Sequence, residues 1–195
     1  MKTERGLFIL TLVIISFYFL FRISYLQKLV NESEKKLNEL ERYLKLDTSL
    51  IGKKLELKNN FRDYYGKIWT SAGFKDYSFI CFILIVGGCR SCFEDEIDIW
   101  SKLFYDFYKL RRGVIAVNVG LRDDLMLYLL KAGQIPFPVL RDNGEFREFI
   151  KNLNGYEVIA ILVDSNLRVI KVHFSERGKI EKTLYFVKYI TNFNF

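Results

Sequence analysis

Two thiols at the spacing Cys89-Arg90-Ser91-Cys92 can exchange disulfides or hold a metal ion, and their setting separates the two. They follow an apolar run over residues 79–86 and a Gly87-Gly88 turn, and they open a helix-like stretch beginning Phe93-Glu94-Asp95-Glu96-Ile97. Unpaired N–H groups and the dipole at a helix N-terminus favour a thiolate there, and Arg90 adds a positive charge beside it. Cys92, one turn on, is placed to attack a mixed disulfide formed by Cys89. Cys89 is thus the candidate attacking thiol and Cys92 the resolving one. Glu94, Asp95 and Glu96 complement the helix dipole and are candidates for proton transfer during exchange.

Other chemistries lack partners. A structural zinc site needs four ligands, and beyond the pair only Cys81 and His173 remain. Cys81 lies inside the apolar strand, where a free thiol acts as a small hydrophobe. His173 is expected as an ordinary surface residue near a strand end, so no metal is expected. Gly87-Gly88 lacks the spacing and the lysine of a phosphate-binding loop, and no cofactor is expected.

The elements that must position the thiols can be read from hydrophobic period. The run 79–86 is a buried strand, and Ile97, Trp100, Leu103, Phe104, Phe107 and Leu110 form one face of the helix that follows. Residues 114–119 form a second buried strand, and residues 122–131 a helix stopped by Gly133. Pro136 and Pro138 keep residues 136–140 extended. A short helix over 144–153 precedes two strands, 158–163 and 167–172, joined as a hairpin by Asp164-Ser165-Asn166, and a last helix spans 179–192. Ahead of these, residues 54–58 alternate like a strand, with a possible return over 65–69. This order predicts an α/β domain with a mixed central sheet covered by helices on both faces.

The N-terminus has a different character. Residues 6–21 are uncharged and apolar on every face, flanked by Arg5 and Arg22, near the lower length limit for a spanning helix. Bulky residues at 16–21 leave no small-x-small cleavage site, so an uncleaved membrane anchor is expected over residues 1–25. Residues 26–50 then form a helical stalk. Ile23, Val30, Leu37 and Leu44 fall at a positions and Leu26, Ser33 and Leu40 at d, a seam compatible with a coiled-coil homodimer or a single solvated helix. The domain proper occupies residues 51–195. The net charge of +7 does not mark a nucleic-acid binder, because the basic residues are spread among acids along the chain.

The order of elements resembles the thioredoxin fold, and more closely the membrane-anchored, extracytoplasmic thiol–disulfide oxidoreductases of the TlpA/ResA type, kin of the redoxin and peroxiredoxin group. Four matches carry the resemblance over residues 50–195. Cys89-x-x-Cys92 follows the first core strand. Asp95 stands where C-x-x-C-x-x-E has its acid. Phe137-Pro138-Val139-Leu140-x-Asp142 resembles F-P-V-L-x-D, and Ile161-Leu162-Val163-Asp164 resembles F-L-I-D. Gly88 replaces the aromatic residue common before the first cysteine, and Val158 stands where a cis-proline faces the dithiol. A competing register sets Ile135-Pro136 and Asn143-Gly144-Glu145 against small thioredoxins but leaves more than fifty residues over; the longer register uses them.

The resemblance implies an enzyme that exchanges disulfides with exported cysteine-containing proteins, drawing electrons from a membrane thiol-reductase. The domain would lie outside the cytoplasm, on the periplasmic or cell-surface side, with lipid contacting only the N-terminal helix. The P-x-x-x-T-x-x-C pattern of a peroxidatic cysteine fits neither Cys89 nor Cys92. The other reading is a degenerate thioredoxin-like binding module whose cysteines form a fixed structural disulfide.

Overall fold

The computed structural model describes residues 2–87, 90–153, 156–175 and 178–192; within them, residues 2–15, 39–40, 42–47, 90–93 and 95 are described by their backbone alone. The chain divides into two units, Met1–Leu46 and Asp47–Phe195. The first belongs to one continuous helix, α1 (Lys2–Leu50). Among the described residues no helix is long and apolar enough to cross a membrane, and most of the apolar run 6–21 lies among the residues described by backbone alone.

The second unit is built on a seven-stranded sheet. Its strands are β1 (Phe61–Asp63), β2 (Ile68–Trp69), β3 (Phe79–Ile85), β4 (Gly113–Asn118), β5 (Val139–Arg141), β6 (Val158–Asp164) and β7 (Val169–Phe174). They lie in the order β2-β1-β5-β4-β3-β6-β7. The helices are α2 (Ser71–Phe74), α3 (Arg90–Tyr108), α4 (Asp123–Lys131), α5 (Glu145–Phe149) and α6 (Ile180–Asn192).

β3 is central because it is apolar on both faces. It pairs in parallel with β4 (Ile80 opposite Gly113) and antiparallel with β6 (Ile85 opposite Val158). A strand with a neighbour on each side and cover on both faces reads as an unbroken run of Ile, Phe, Leu and Val rather than as an alternation. The two faces still differ. Cys81, Ile83 and Ile85 join a core completed by Ile97, Trp100, Leu103 and Phe107 of α3, Met126 and Leu129 of α4, and Phe186 and Ile190 of α6. On the other face Phe82 meets Phe74 and Phe146 with ring centroids 5.5 and 5.1 Å away. Full burial of such a ring contributes about 2–3 kcal/mol. The expected mixed sheet with cover on both faces is what forms.

Three local expectations are corrected. Residues 55–58 do not make a strand; only Lys54 forms an isolated bridge, to Arg168. Their backbone donors go elsewhere, Leu55 N–H to the Leu167 carbonyl and the Lys58 and Asn59 N–H groups to Glu145 Oε1. The hairpin forms further on, between β1 and β2, where the buried Asp63 carboxylate accepts from the Tyr65 and Lys67 N–H groups and from Trp69 Nε1. The apolar stripe of α3 stops short of Leu110, which is exposed because the helix ends at Tyr108 and Arg111 takes a positive φ. Finally, His173 is not a surface residue. It is buried, stacked on Phe186 with centroids 5.1 Å apart, because Phe186 and Thr183 of α6 and Trp100 of α3 pack against it.

Candidate functional site

The site lies where β3 runs out. Cys89 and Gly88 are outside the described residues, which resume at Arg90, the first residue of α3; Cys92 falls in the first turn of that helix and is described by its backbone. The approach to the pair is set by its neighbours. The Val86 and Gly87 N–H groups both donate to the Glu157 carbonyl, at 2.8 and 3.1 Å, so the segment entering β6 is laid against the chain two residues before Cys89. A side chain at Gly87 would meet Glu157, whose Cγ lies 2.9 Å from the position of a Cβ. Val158 follows, buried at the start of β6 opposite Ile85. Among the described residues there is no cis peptide bond, so the position aligned with the family's cis-proline carries a trans valine. Pro136, by contrast, precedes β5, which pairs in parallel with β4 and antiparallel with β1 and not with β3; this rules out the shorter register.

The other wall is the loop after β4. The Val119 and Gly120 N–H groups both donate to the Ile85 carbonyl at 3.0 Å. Asn118 closes the loop on itself: its Nδ2 donates to the Leu121 carbonyl at 2.8 Å and its Oδ1 accepts from the Leu121 N–H at 2.9 Å. Asn118 Nδ2 also donates to the Tyr64 hydroxyl at 2.6 Å, which in turn donates to Asp123 Oδ1 at 2.5 Å. Arg141 completes this cluster, its Nη1 3.2 Å from Asp123 Oδ2 and its guanidinium 4.4 Å from the Tyr64 ring centroid. Between the walls opens a cleft of about 690 Å³, bordered by Val86, Gly87, Gly120, Arg147, Tyr156 and Glu157. Arg147 is held there by donating to the Val119 carbonyl at 2.5 Å. Glu157 Oε2 is buried and has no hydrogen-bond partner among the described residues.

Burial, and next the bond to Asp123, push the Tyr64 hydroxyl up to about 12 from 10.0. The folded state therefore holds this proton more tightly than the unfolded chain does. The resulting stability is present in full below pH 10.0, shrinks above it, and is gone once pH passes about 12. Comparing the full chain with Tyr64→Phe by urea unfolding from pH 8 upward is expected to show wild type ahead at pH 8 and its lead falling only in the alkaline window. A lead that stays constant through that window would show that the hydroxyl is not so held.

The three candidate acids separate. Glu94 is half-buried, and the side chain of Asp95 lies outside the described residues. Glu96 is buried, 4% exposed, and its carboxylate accepts from Trp100 Nε1 (3.1 Å), Ser175 Oγ (2.7 Å) and Thr183 Oγ1 (2.6 Å). Cys81 is a free buried thiol, as expected, and burial pushes its ionisation far up. Two residues that sequence reasoning missed line the site. Glu157 had a faint signal as the residue before Val158; Gly120 had none, since its role depends on a strand brought alongside.

No family model matches the sequence, and no curated protein matches it. Solved structures do. A putative protein disulfide isomerase from Bacteroides thetaiotaomicron matches with TM-score 0.56 at 16% identity, over 72% of this chain and 87% of that one. A putative thiol:disulfide interchange protein DsbE from Chlorobium tepidum matches with TM-score 0.54 at 19% identity, over 72% and 96%. The thioredoxin domain of a thiol-disulfide oxidoreductase from Bacteroides vulgatus matches with TM-score 0.54 at 14% identity, over 70% and 97%. At such identities the likeness is one of architecture, and that architecture is the thioredoxin-like fold.

Proposed function

We propose that this chain, with its thioredoxin-like fold, is a thiol–disulfide oxidoreductase working through Cys89 and Cys92. The observation that carries the reading is the cleft formed by the β4 loop and the segment entering β6, bordered by Val86 and Gly87, which precede Cys89 in the chain, with Cys92 in the first turn of α3. The Cys89 thiolate attacks one sulfur of a substrate disulfide, forming a mixed disulfide and releasing the other substrate sulfur as a thiolate. Cys92, deprotonated, then attacks the Cys89 sulfur; the substrate leaves with both thiols, and the pair is left as a disulfide. Two electrons pass to the substrate, and a membrane thiol-reductase is the proposed source of their replacement.

The proposed substrates are exported cysteine-containing proteins, and the proposed location is the outer side of a membrane, with residues 1–25 as the anchor and 26–50 as the stalk. In support, Phe17, Tyr18, Phe19, Leu20 and Phe21 of α1 are consecutive and all exposed, a surface suited to lipid rather than water.

Val158 favours a second reading, a binding module with a fixed disulfide, because a buried trans valine stands where the partner-receiving loop of this family has its proline. A redox titration with thiol trapping and gel shifts separates the two. An equilibrium potential between about −120 and −270 mV is expected for exchange; a pair that opens only below about −300 mV would establish the scaffold instead. Cys81, sealed and hard to ionise, stays unlabelled in the native chain and does not blur the readout.

A further inference from the structure

The end of the sheet where β4 begins carries a second cleft, about 420 Å³ in volume, that the exchange steps do not use. The rings of Tyr65, Trp69, Tyr77, Phe104 and Tyr108 border it. They come from three separate segments: the β1–β2 hairpin gives Tyr65 and Trp69, the turn before β3 gives Tyr77, and the last turns of α3 give Phe104 and Tyr108. Gly113, at the start of β4, lies at this cleft, whereas Gly120, just beyond its end, lies at the other. About 20 Å of chain therefore separates the two.

The rings form a surface rather than a core. Phe104 joins Tyr108 to the segment Pro136-Phe137-Pro138, with its centroid 6.2 Å from Tyr108 and 6.1 Å from Phe137. Tyr65 and Tyr108 nonetheless stay 78% and 76% exposed, so most of their area faces water. Charge at the cleft is one-sided. Asp63 is the one carboxylate among the bordering side chains, and it already accepts from the Tyr65 and Lys67 N–H groups and from Trp69 Nε1. Against it stand the cations Arg112 and Lys67. The Lys67 ammonium is held over the Trp69 ring, 4.5 Å from its centroid, and makes no ion pair among the described residues. Burial, and then Asp76 and Tyr108, push the ionisation of the Tyr77 hydroxyl up, so it remains a donor.

We propose that this cleft docks a proline-rich, acid-bearing extended segment of a partner protein. A polyproline helix is preformed and has no internal hydrogen bonds, so its pyrrolidine rings settle against aromatic walls with little loss of entropy. An acid in that segment meets Lys67 and Arg112, the charges that the cleft leaves unbalanced. A neutral sugar suits the cleft less well. Its hydroxyls call for side chains that both donate and accept, and the bordering side chains include no Asn, no Gln and no uncommitted carboxylate. The inference goes beyond the exchange reading and stands apart from it, because the two clefts share no bordering residue.

The test uses the full-length chain and labelled synthetic peptides of about twelve residues, followed by fluorescence anisotropy. A peptide repeating Pro-Pro-Glu is expected to bind at least about tenfold more tightly than one repeating Pro-Pro-Lys at low salt, with the gap narrowing as salt rises. A Gly-Gly-Glu repeat of equal charge controls for attraction to a cationic chain, and is expected to bind at least about tenfold more weakly than Pro-Pro-Glu. Tyr65→Ala and Tyr108→Ala are each expected to weaken the Pro-Pro-Glu peptide by at least about fivefold. Both rings are exposed, so the urea midpoint should stay in place. Lys67→Glu is expected to erase the preference for acid over base. Cys89→Ser is expected to bind as wild type does; a loss there would put the peptide at the first cleft and overturn the proposal. No binding of Pro-Pro-Glu at about 1 mM, equal binding of Gly-Gly-Glu, or binding that survives both tyrosine truncations would each overturn it as well.

Discussion

Replacing Cys89 with serine is expected to abolish reduction of insulin disulfides by the full-length chain, a loss of at least about a thousandfold. A serine hydroxyl at neutral pH is neither ionised nor a good partner for sulfur, and no other described thiol can substitute: Cys81 is inside β3 with its ionisation pushed far up by burial. The companion variant gives the opposite signature. With Cys92→Ser the first attack proceeds but resolution fails, so a mixed disulfide between Cys89 and the substrate accumulates and is visible by mass. Full activity in Cys89→Ser would remove the exchange mechanism; loss in both variants without any mixed disulfide would point to the fixed-disulfide module. The readout depends on a substrate that reaches the cleft, and a dithiothreitol-driven assay supplies the electrons without the natural donor.

The second large effect concerns a residue without chemistry of its own. Gly120→Ala is expected to destabilise the domain by about 3 kcal/mol, read as a lower urea midpoint with an unchanged slope, and to slow exchange even where the chain stays folded. A Cβ at this position would stand 2.0 Å from the Val86 carbonyl oxygen and 3.0 Å from its carbon. Both atoms are backbone, held by the neighbouring bonds to Ile85 and Glu157, so neither can swing aside as a side chain would. The strain is delivered three residues before Cys89. Gly73→Ala serves as the control, since its Cβ would meet nothing nearer than Thr70 Oγ1 at 3.7 Å, an ordinary contact. If the two variants unfold at the same urea concentration, the close approach of the β4 loop to β3 is not as tight as described.

Local features were legible before any fold was known. The C-x-x-C pair between an apolar run and a helix start depends on neighbours within about ten residues, and α3 does begin at Arg90. The hairpin of β6 and β7 was visible in two β-rich runs around Asp164-Ser165-Asn166, and the structure closes it with Asp164 Oδ1 accepting from the Asn166 and Arg168 N–H groups. The early strand over 54–58 misled because alternation reports which side chains are buried, and Leu55 and Leu57 are buried, but not whether another strand is free to pair.

By itself, the sequence determined what each segment prefers: which runs are apolar, where helices start, where proline forbids them, and where two cysteines stand three positions apart. Those preferences act through the chain's own bonds and the hydrophobic period, so they survive without knowing what lies opposite. Only the tertiary structure decided which segments meet. Pairing β5 with β4 and β6 with β3 put Val158, and not Pro136, at the entry to the strand beside β3. The same packing set Glu157 against Gly87, Gly120 against Val86, and Thr183 between Glu96 and His173. Contacts between residues tens of positions apart depend on sheet order and helix docking, for which one sequence carries no local signal.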